Sequence, residues 1–302
     1  NKHFYDGKLK LLPNRLDANS NEPAIDFIKV DGIWENNTNT VEAEKICDLI
    51  INYIKDFPDK SIGVVTFNAL QQNLIADIFE ARLIALKMAL PDSLFIKNIE
   101  NIQGDEKDVI LFSTAYAPDA NGRLMMQFGS LNMENGENRL NVAVTRAREK
   151  VVIVSSIFPQ QLNVENAKNL GPKLLKEYLN YALEVSEGRY VPTLNIDDAH
   201  SPDWYLKTQI QNWSEWLEDI EFTNELPFAD ITIKEKDNYL GLIITDDNLY
   251  YQSLSMKDAH AYTPFTLSSK KWRFKGIFSR EYWMDKDTVH ESINRFINNS
   301  RE

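Results

Sequence analysis

Two segments of this 302-residue chain carry residue types suited to phosphate chemistry. The first, Glu100 to Thr114, runs from Gln103-Gly104 past Glu106 and Asp108 into an apolar strand at Val109 to Phe112. The second, Arg139 to Arg148, sets Arg139, Arg146 and Arg148 on what reads as a helix, followed by an apolar strand at Val151 to Val154. A guanidinium can neutralise charge developing on phosphoryl oxygens and presents a planar fork that an ammonium cannot. Residue 139 lies seven positions before 146 and shares its helical face, whereas 148 points elsewhere. Gly104 lets the backbone approach a ligand or take a positive φ, and Glu106 could hold a ribose or orient an arginine. The bland alternatives are solvated helix charges for the arginines and a plain turn for Gln103-Gly104. No G-x-x-x-x-G-K-[ST] phosphate loop occurs anywhere in the chain.

Other polar residues stand where contacts to nucleic acid are chemically reasonable. Thr66 and Ser113 fall at strand ends, where a hydroxyl can bond a phosphate, or where a strand simply stops. Lys270, Lys271, Trp272 and Arg273 form a basic aromatic stretch able to stack on bases and bind backbone phosphates. Edge-strand solubility would use the same residues. Asp230 and the Asp246-Asp247 pair are the candidates for a metal ion, although Asp-Asp-Asn is also ordinary turn chemistry. Four histidines and the single Cys47 are scattered, so no His/Cys metal cluster is expected.

The elements that must position these residues follow from periodicity. Strands are read at Ala24 to Val30, Ser61 to Phe67, Leu94 to Ile99, Val109 to Thr114 and Val151 to Ser155. Helices are read at Thr40 to Lys55, Ala69 to Leu90 (ended by Pro91) and Pro172 to Ser186. Strands alternating with helices imply an α/β fold, a parallel sheet with helices on both faces. Residues 1–24 read as a connecting segment. Residues 187–201, with Gly188 and Pro192, read as a linker. Beyond it come a Trp-rich helix, strands at Phe228 to Ile233 and Tyr239 to Ile244, and a closing helix from Asp287 to Ile297.

The Gln103-Gly104 and Thr145-Arg146-Ala147-Arg148 segments resemble motifs V and VI of superfamily 1 helicases of the nonsense-decay-helicase and senataxin type. His3-Phe-Tyr-Asp-Gly-Lys-Leu9 resembles the segment leading into their second RecA-like domain, and Gly63 to Gln72 resembles motif IV. The resemblance implies a RecA-like domain over residues 1–186. In it Arg146 acts as arginine finger, Arg139 supports it in the cleft, and Gln103, Gly104 and Glu106 line the nucleotide. Thr66, Ser113 and Arg148 would face nucleic acid. One departure is Gln72, where many relatives carry arginine. Residues 202–302 resemble a very-short-patch-repair-type nuclease of the PD-(D/E)XK group. Asp230 matches the first acid, but the second strand offers only Ile243 or Ile244. The resemblance therefore implies a degenerate, non-cutting restriction-endonuclease-like domain, with a shifted site at Asp230 and Asp246 or Asp247 as the alternative.

Composition frames these readings. A formal net charge of −12 argues against nonspecific nucleic-acid binding over the whole surface, though not against a local basic groove. No apolar run is long enough to span a membrane, and Cys47, among isoleucines, reads as a buried thiol of a reducing cytoplasm. The chain opens on Asn1 without a leader and is read as part of a longer polypeptide. By the resemblance, that polypeptide uses ATP and Mg²⁺, works with an N-terminal RecA-like domain of its own, and moves on single-stranded DNA or RNA. The rival reading is a non-enzymatic module that binds nucleic acid or a partner.

Overall fold

Five runs rich in Val, Ile and Phe can hide both faces only inside a parallel sheet covered on each side. The computed structural model, which describes residues 11–20, 22–124, 128–190 and 202–301, builds that sheet within the unit Glu22–Val191. Its elements are β1 (Ile25–Lys29), α1 (Thr40–Asp56), β2 (Ile62–Thr66), α2 (Ala69–Leu86), β3 (Phe95–Asn98), β4 (Lys107–Ser113), α3 (Gly136–Val144), β5 (Ala147–Ser155) and α4 (Leu170–Ser186). The strand order is β1-β5-β4-β2-β3, and every pairing is parallel. On one face Ile46 and Ile50 of α1 and Ile75 and Phe79 of α2 pack over Val64, Leu111 and Val152. Phe112 points to the other face, where its ring meets Tyr178 of α4 edge-on at 6.4 Å. This is a RecA-like α/β layout. Cys47 is fully buried in the first face, its thiol pushed up to about 12 by burial.

The second unit holds a smaller mixed sheet. Its elements are α5 (Tyr205–Ser214), β6 (Ile220–Thr223), β7 (Ile231–Glu235), β8 (Asn238–Thr245), α6 (Thr263–Ser269), β9 (Phe274–Ile277), α7 (Ser279–Met284) and α8 (Lys286–Ser300). The order is β6-β7-β8-β9, antiparallel except for the last, parallel pair. Alternation along β8 sends Ile243 into a core with Leu206, Ile210 and Ile293, and Ile244 into one with Leu226, Leu267 and Trp272.

Several sequence expectations change here. Helix α2 stops at Leu86, well before Pro91, because Lys87 takes a left-handed conformation (φ 54°) and its N–H closes the last turn on Ile84. Helix α3 ends at Val144, so Arg146 and Arg148 are not helical. Residues 11–20 are not a free connector: they pack with the second unit. Trp272 Nε1 donates to the Pro13 carbonyl (2.7 Å), Arg15 N to Lys270 O (3.0 Å), and Tyr239 N to Asn19 Oδ1 (2.6 Å). The structure adds two short strands, β6 and β9, that the sequence pattern does not predict. The His3 to Leu9 segment and most of the 187–201 linker lie outside the described residues.

Candidate functional site

Glu106, Arg146 and Arg148 meet where two neighbouring strands begin. The register pairs Lys107 of β4 with Ala147 of β5, and Lys107 N donates to Arg146 O at 3.1 Å. Glu106 therefore stands beside both arginines, 4.0 Å from Arg146 Nη1 and 3.6 Å from Arg148 Nε. Arg146 is folded against the end of α3: Nε donates to Val142 O at 2.8 Å and Nη2 to Thr145 Oγ1 at 3.1 Å. A cation there complements the carbonyl end of the helix. Arg148 also reaches Asp108 (3.8 Å), whose carboxylate accepts from Ser61 N and Oγ at 2.8 and 2.7 Å. Partial burial opposes ionisation of Asp108, but those Ser61 hydrogen bonds and Arg148 hold its carboxyl below the ordinary range.

Gly104 lies in the turn before β4 with φ +89°, which glycine adopts without strain, and it is exposed with Gln103. Gly136 opens α3 against the Leu131 carbonyl, where an added Cβ would come within 2.3 Å of that oxygen. This close approach sets the start of the helix whose end carries Arg146. Arg139 points away from the cluster: its Nη1 donates to Ser130 O at 3.1 Å. The shared face inferred for residues 139 and 146 fails because the helix stops between them.

The opposite ends of the strands are sealed. Thr66 and Ser113 are both buried, and neither offers a hydroxyl to an external phosphate. Thr66 Oγ1 donates to Asn68 O (2.8 Å), and Ser113 Oγ donates to Glu42 Oε2 (2.9 Å) while accepting from Gln71 Nε2 (3.0 Å). Glu42 is the centre of this network. It also accepts from Ala115 N (2.7 Å), Ser156 N (2.8 Å), Asn39 Nδ2 (3.2 Å) and Thr114 Oγ1 (3.3 Å). Burial pushes its carboxyl up to about 7, against the pull of the Ala115, Ser113 and Ser156 hydrogen bonds. Sequence reasoning missed Glu42, yet the signal was present: Asn39 followed three residues later by Glu is a helix-capping pattern.

In the second unit, Asp230 is buried and its carboxylate accepts from Thr245 N (2.6 Å) and Asn248 Nδ2 (3.1 Å). Asp246 accepts from Ser279 N (3.0 Å) and Oγ (2.7 Å). Burial, then Asp246 and Asp230, raise the Asp247 carboxyl, so the three acids are neighbours. Among the described residues no group of acids, histidines or cysteines could hold a metal ion. Trp272 corrects the stacking expectation: it is buried, with its indole spent on Pro13, while Lys270, Lys271 and Arg273 are exposed around it.

The sheet is RecA-like, with an acid and two arginines at neighbouring strand starts, and comparison with known proteins gives its family. The chain belongs to the AAA domain family, whose model matches residues 1–157. It is 34% identical over 306 residues to an uncharacterized ATP-dependent helicase of Mycoplasma genitalium, covering 95% of this chain and 25% of that protein. Its homolog in Mycoplasma pneumoniae is 34% identical over 330 residues, covering 99% and 28%. The DNA polymerase alpha-associated DNA helicase A of Saccharomyces cerevisiae is 33% identical over 142 residues, covering 47% and 17%. These relatives make the chain a helicase-family protein. It spans about a quarter of the length of the two mycoplasma relatives. Among the described residues no helix is long and apolar enough to cross a membrane.

Proposed function

We propose that this chain is the C-terminal part of an ATP-dependent superfamily 1 helicase that moves on single-stranded nucleic acid, and that it supplies the arginine finger. The observation that carries the reading is the Glu106–Arg146–Arg148 cluster at the starts of β4 and β5. A nucleotide held by another domain across this edge would meet Arg146 with its γ-phosphate and Glu106 with its ribose or with Arg146 itself. ATP and Mg²⁺ belong to that composite site, because the chain has no phosphate loop to hold the β- and γ-phosphates. To act, the Arg146 guanidinium exchanges its bonds to Val142 and Thr145 for the phosphoryl oxygens. Arg139 holds the Ser130 turn and supports the site indirectly.

The second unit is, in this proposal, a nuclease-like fold that does not cut. The Asp230 carboxylate already accepts from Thr245 and Asn248, and Ile243 and Ile244 stand where a second acid would ligate a metal. Plasmid and single strands incubated with Mg²⁺ or Mn²⁺ should stay intact. Cleavage abolished by Asp230→Asn would reverse this part of the reading.

The deciding experiment is steady-state ATP turnover. The 302-residue chain alone should show none. In a longer protein carrying the phosphate loop, Arg146→Ala should lower kcat about 10³-fold or more with little change in nucleotide affinity. Arg146→Lys should rescue poorly. Near-normal turnover by Arg146→Ala would move the finger to Arg148 or discard it.

A further inference from the structure

Residues 259–280 contain five Lys and Arg and no Asp or Glu, the longest run without an acid in a chain that has 45 of them. Four of those cations, Lys270, Lys271, Arg273 and Lys275, lead into or lie on β9, the outer strand of the order β6-β7-β8-β9. Trp272 anchors this edge. Its indole is buried with Leu242 and Leu267, and Phe274 packs against the same core. Alternation therefore turns Arg273 and Lys275 to the other side of the strand. There Arg273 Nη1 donates to Asn299 O, at the carbonyl end of α8. Lys270, Lys271 and Arg273 are exposed.

A fifth cation arrives from 256 positions away. The bonds from Trp272 Nε1 to Pro13 O and from Arg15 N to Lys270 O seat the Arg15–Ala18 turn beside this edge. Arg15 Nε donates to Lys271 O (3.2 Å) and Nη1 to Tyr239 O and Leu240 O (3.4 Å each). Burial, then Arg273, lower the Arg15 guanidinium from its ordinary value, the mark of two cations held close, although it stays charged. Among the described residues the ion pairs of this unit are Lys207–Asp203, Lys234–Glu225 and Arg301–Glu235, so none of the five cations is paired. Protection of an edge strand calls for a lysine such as Lys275. It does not call for Arg15 beside Arg273.

We infer that Arg15, Lys270, Lys271, Arg273 and Lys275 form a binding surface for the phosphate backbone of nucleic acid. Cations set together without an acid repel one another, and a polyanion removes that cost. Four of the five follow one another along a strand edge, an arrangement suited to a polymer rather than to a lone phosphate. Nucleic acid carries one charge per about 3.4 Å of each strand, dense enough to partner them without a surface built to match. With Trp272 buried, the stretch contacts phosphates rather than bases, so binding is independent of sequence. The inference rests on the nucleic-acid reading proposed above and adds a contact outside the RecA-like unit.

The test is an anisotropy titration of the 302-residue protein with a fluorescein-labelled oligo-dT of about 16 nucleotides and with a duplex of the same length. Lys270→Gln with Lys271→Gln should weaken binding to both roughly tenfold at about 50 mM salt. The slope of log K against log salt should shrink by about 0.7 per removed cation on the single strand and about 0.9 on the duplex. Far-ultraviolet circular dichroism should not change, because neither lysine side chain bonds to the protein among the described residues. Adding Arg273→Gln should deepen both losses, whereas Arg273→Lys, which keeps the charge, should not. Lys55→Gln with Lys168→Gln removes the same charge from exposed positions of the RecA-like unit and should stay within about twofold of the parent. Equal losses from the two pairs would show that binding follows total charge, and would overturn the surface. Unchanged affinity in the first pair would overturn it and leave the RecA-like unit as the binding site. No binding by the parent protein would overturn it as well, while the motor reading would still be decided by ATP turnover with Arg146→Ala.

Discussion

At the starts of β4 and β5, charged side chains stand partly in water: Glu106 is 51% and Arg148 58% exposed, and Arg146 leans on a helix end. At the far ends of the same strands, about 20 Å along a seven-residue strand, Glu42, Gln71, Ser113 and Asn39 are buried and bonded to one another. One rim has polar groups that can change partners at little cost, and the other has polar groups that cannot. A carboxylate in water loses little when a bond breaks, whereas one sealed in the protein leaves orphaned donors behind. The open rim can thus exchange partners at little cost, which is what the nucleotide-facing role proposed for it requires, while the sealed rim fixes where the strand ends and their loops lie.

Breaking the sealed rim should give the largest effect. Glu42→Ala strips partners from the Ala115 and Ser156 N–H groups and from the Ser113 hydroxyl, and it leaves a cavity. A loss of about 3–5 kcal/mol is expected in urea unfolding. A loss below about 1 kcal/mol would mean that water enters and replaces the carboxylate, and the contrast between the rims would collapse. The same residue predicts a pH dependence. Its folded-state value of about 7 lies above the ordinary carboxyl range, so between the two the folded chain holds a proton that the unfolded chain has released. Stability from this group therefore rises as pH falls from 8 to 5, by roughly 3 kcal/mol, and levels off near the unfolded value. Comparing the parent with Glu42→Gln isolates the term, because the variant should lack that slope. An identical slope in both would refute the assignment.

These two rims were unequally legible in the sequence. The open rim rests on residues whose chemistry is visible in isolation, Gly104, Glu106, Arg146 and Arg148, and on two apolar strands whose length and order the periodicity gives. What periodicity could not give was the end of α3. Nothing in Asn-Val-Ala-Val-Thr-Arg forbids another helical turn, and it is the pairing of β5 beside β4 that draws residues 147–155 into a strand. The helical face shared by residues 139 and 146 is lost for that reason. The sealed rim was nearly invisible, since Thr66 and Ser113 look like exposed strand ends until α1 and α2 cover them. Trp272 likewise looked like a stacking surface because its partner, Pro13, lies 259 positions away in sequence. The α/β layout and the strand order of alternation were readable; long-range burial was not.

On the open rim, Arg146→Ala should lower the stability of the isolated chain by only about 1 kcal/mol, from the lost bonds to Val142 and Thr145. That contrasts with the large loss of turnover expected in a longer protein. If instead it unfolded the chain, Arg146 would be a brace for the α3–β5 turn, and a loss of turnover would say nothing about a finger.

The smallest effect belongs to Glu106→Gln. Its two contacts, at 4.0 and 3.6 Å, join side chains that are about half in solvent in the case of Glu106 and Arg148. Exposed pairs of this kind contribute little, and both arginines keep another partner, Val142 for Arg146 and Asp108 for Arg148. A change within about 0.5 kcal/mol is expected by urea unfolding, with the pair screened further by salt. The informative measurement is the same variant in the longer protein. If Glu106 orients Arg146 or holds the ribose, turnover or nucleotide affinity falls while stability does not. An unchanged kcat and KM would reduce Glu106 to a surface charge and leave Arg146 as the residue on which the site depends.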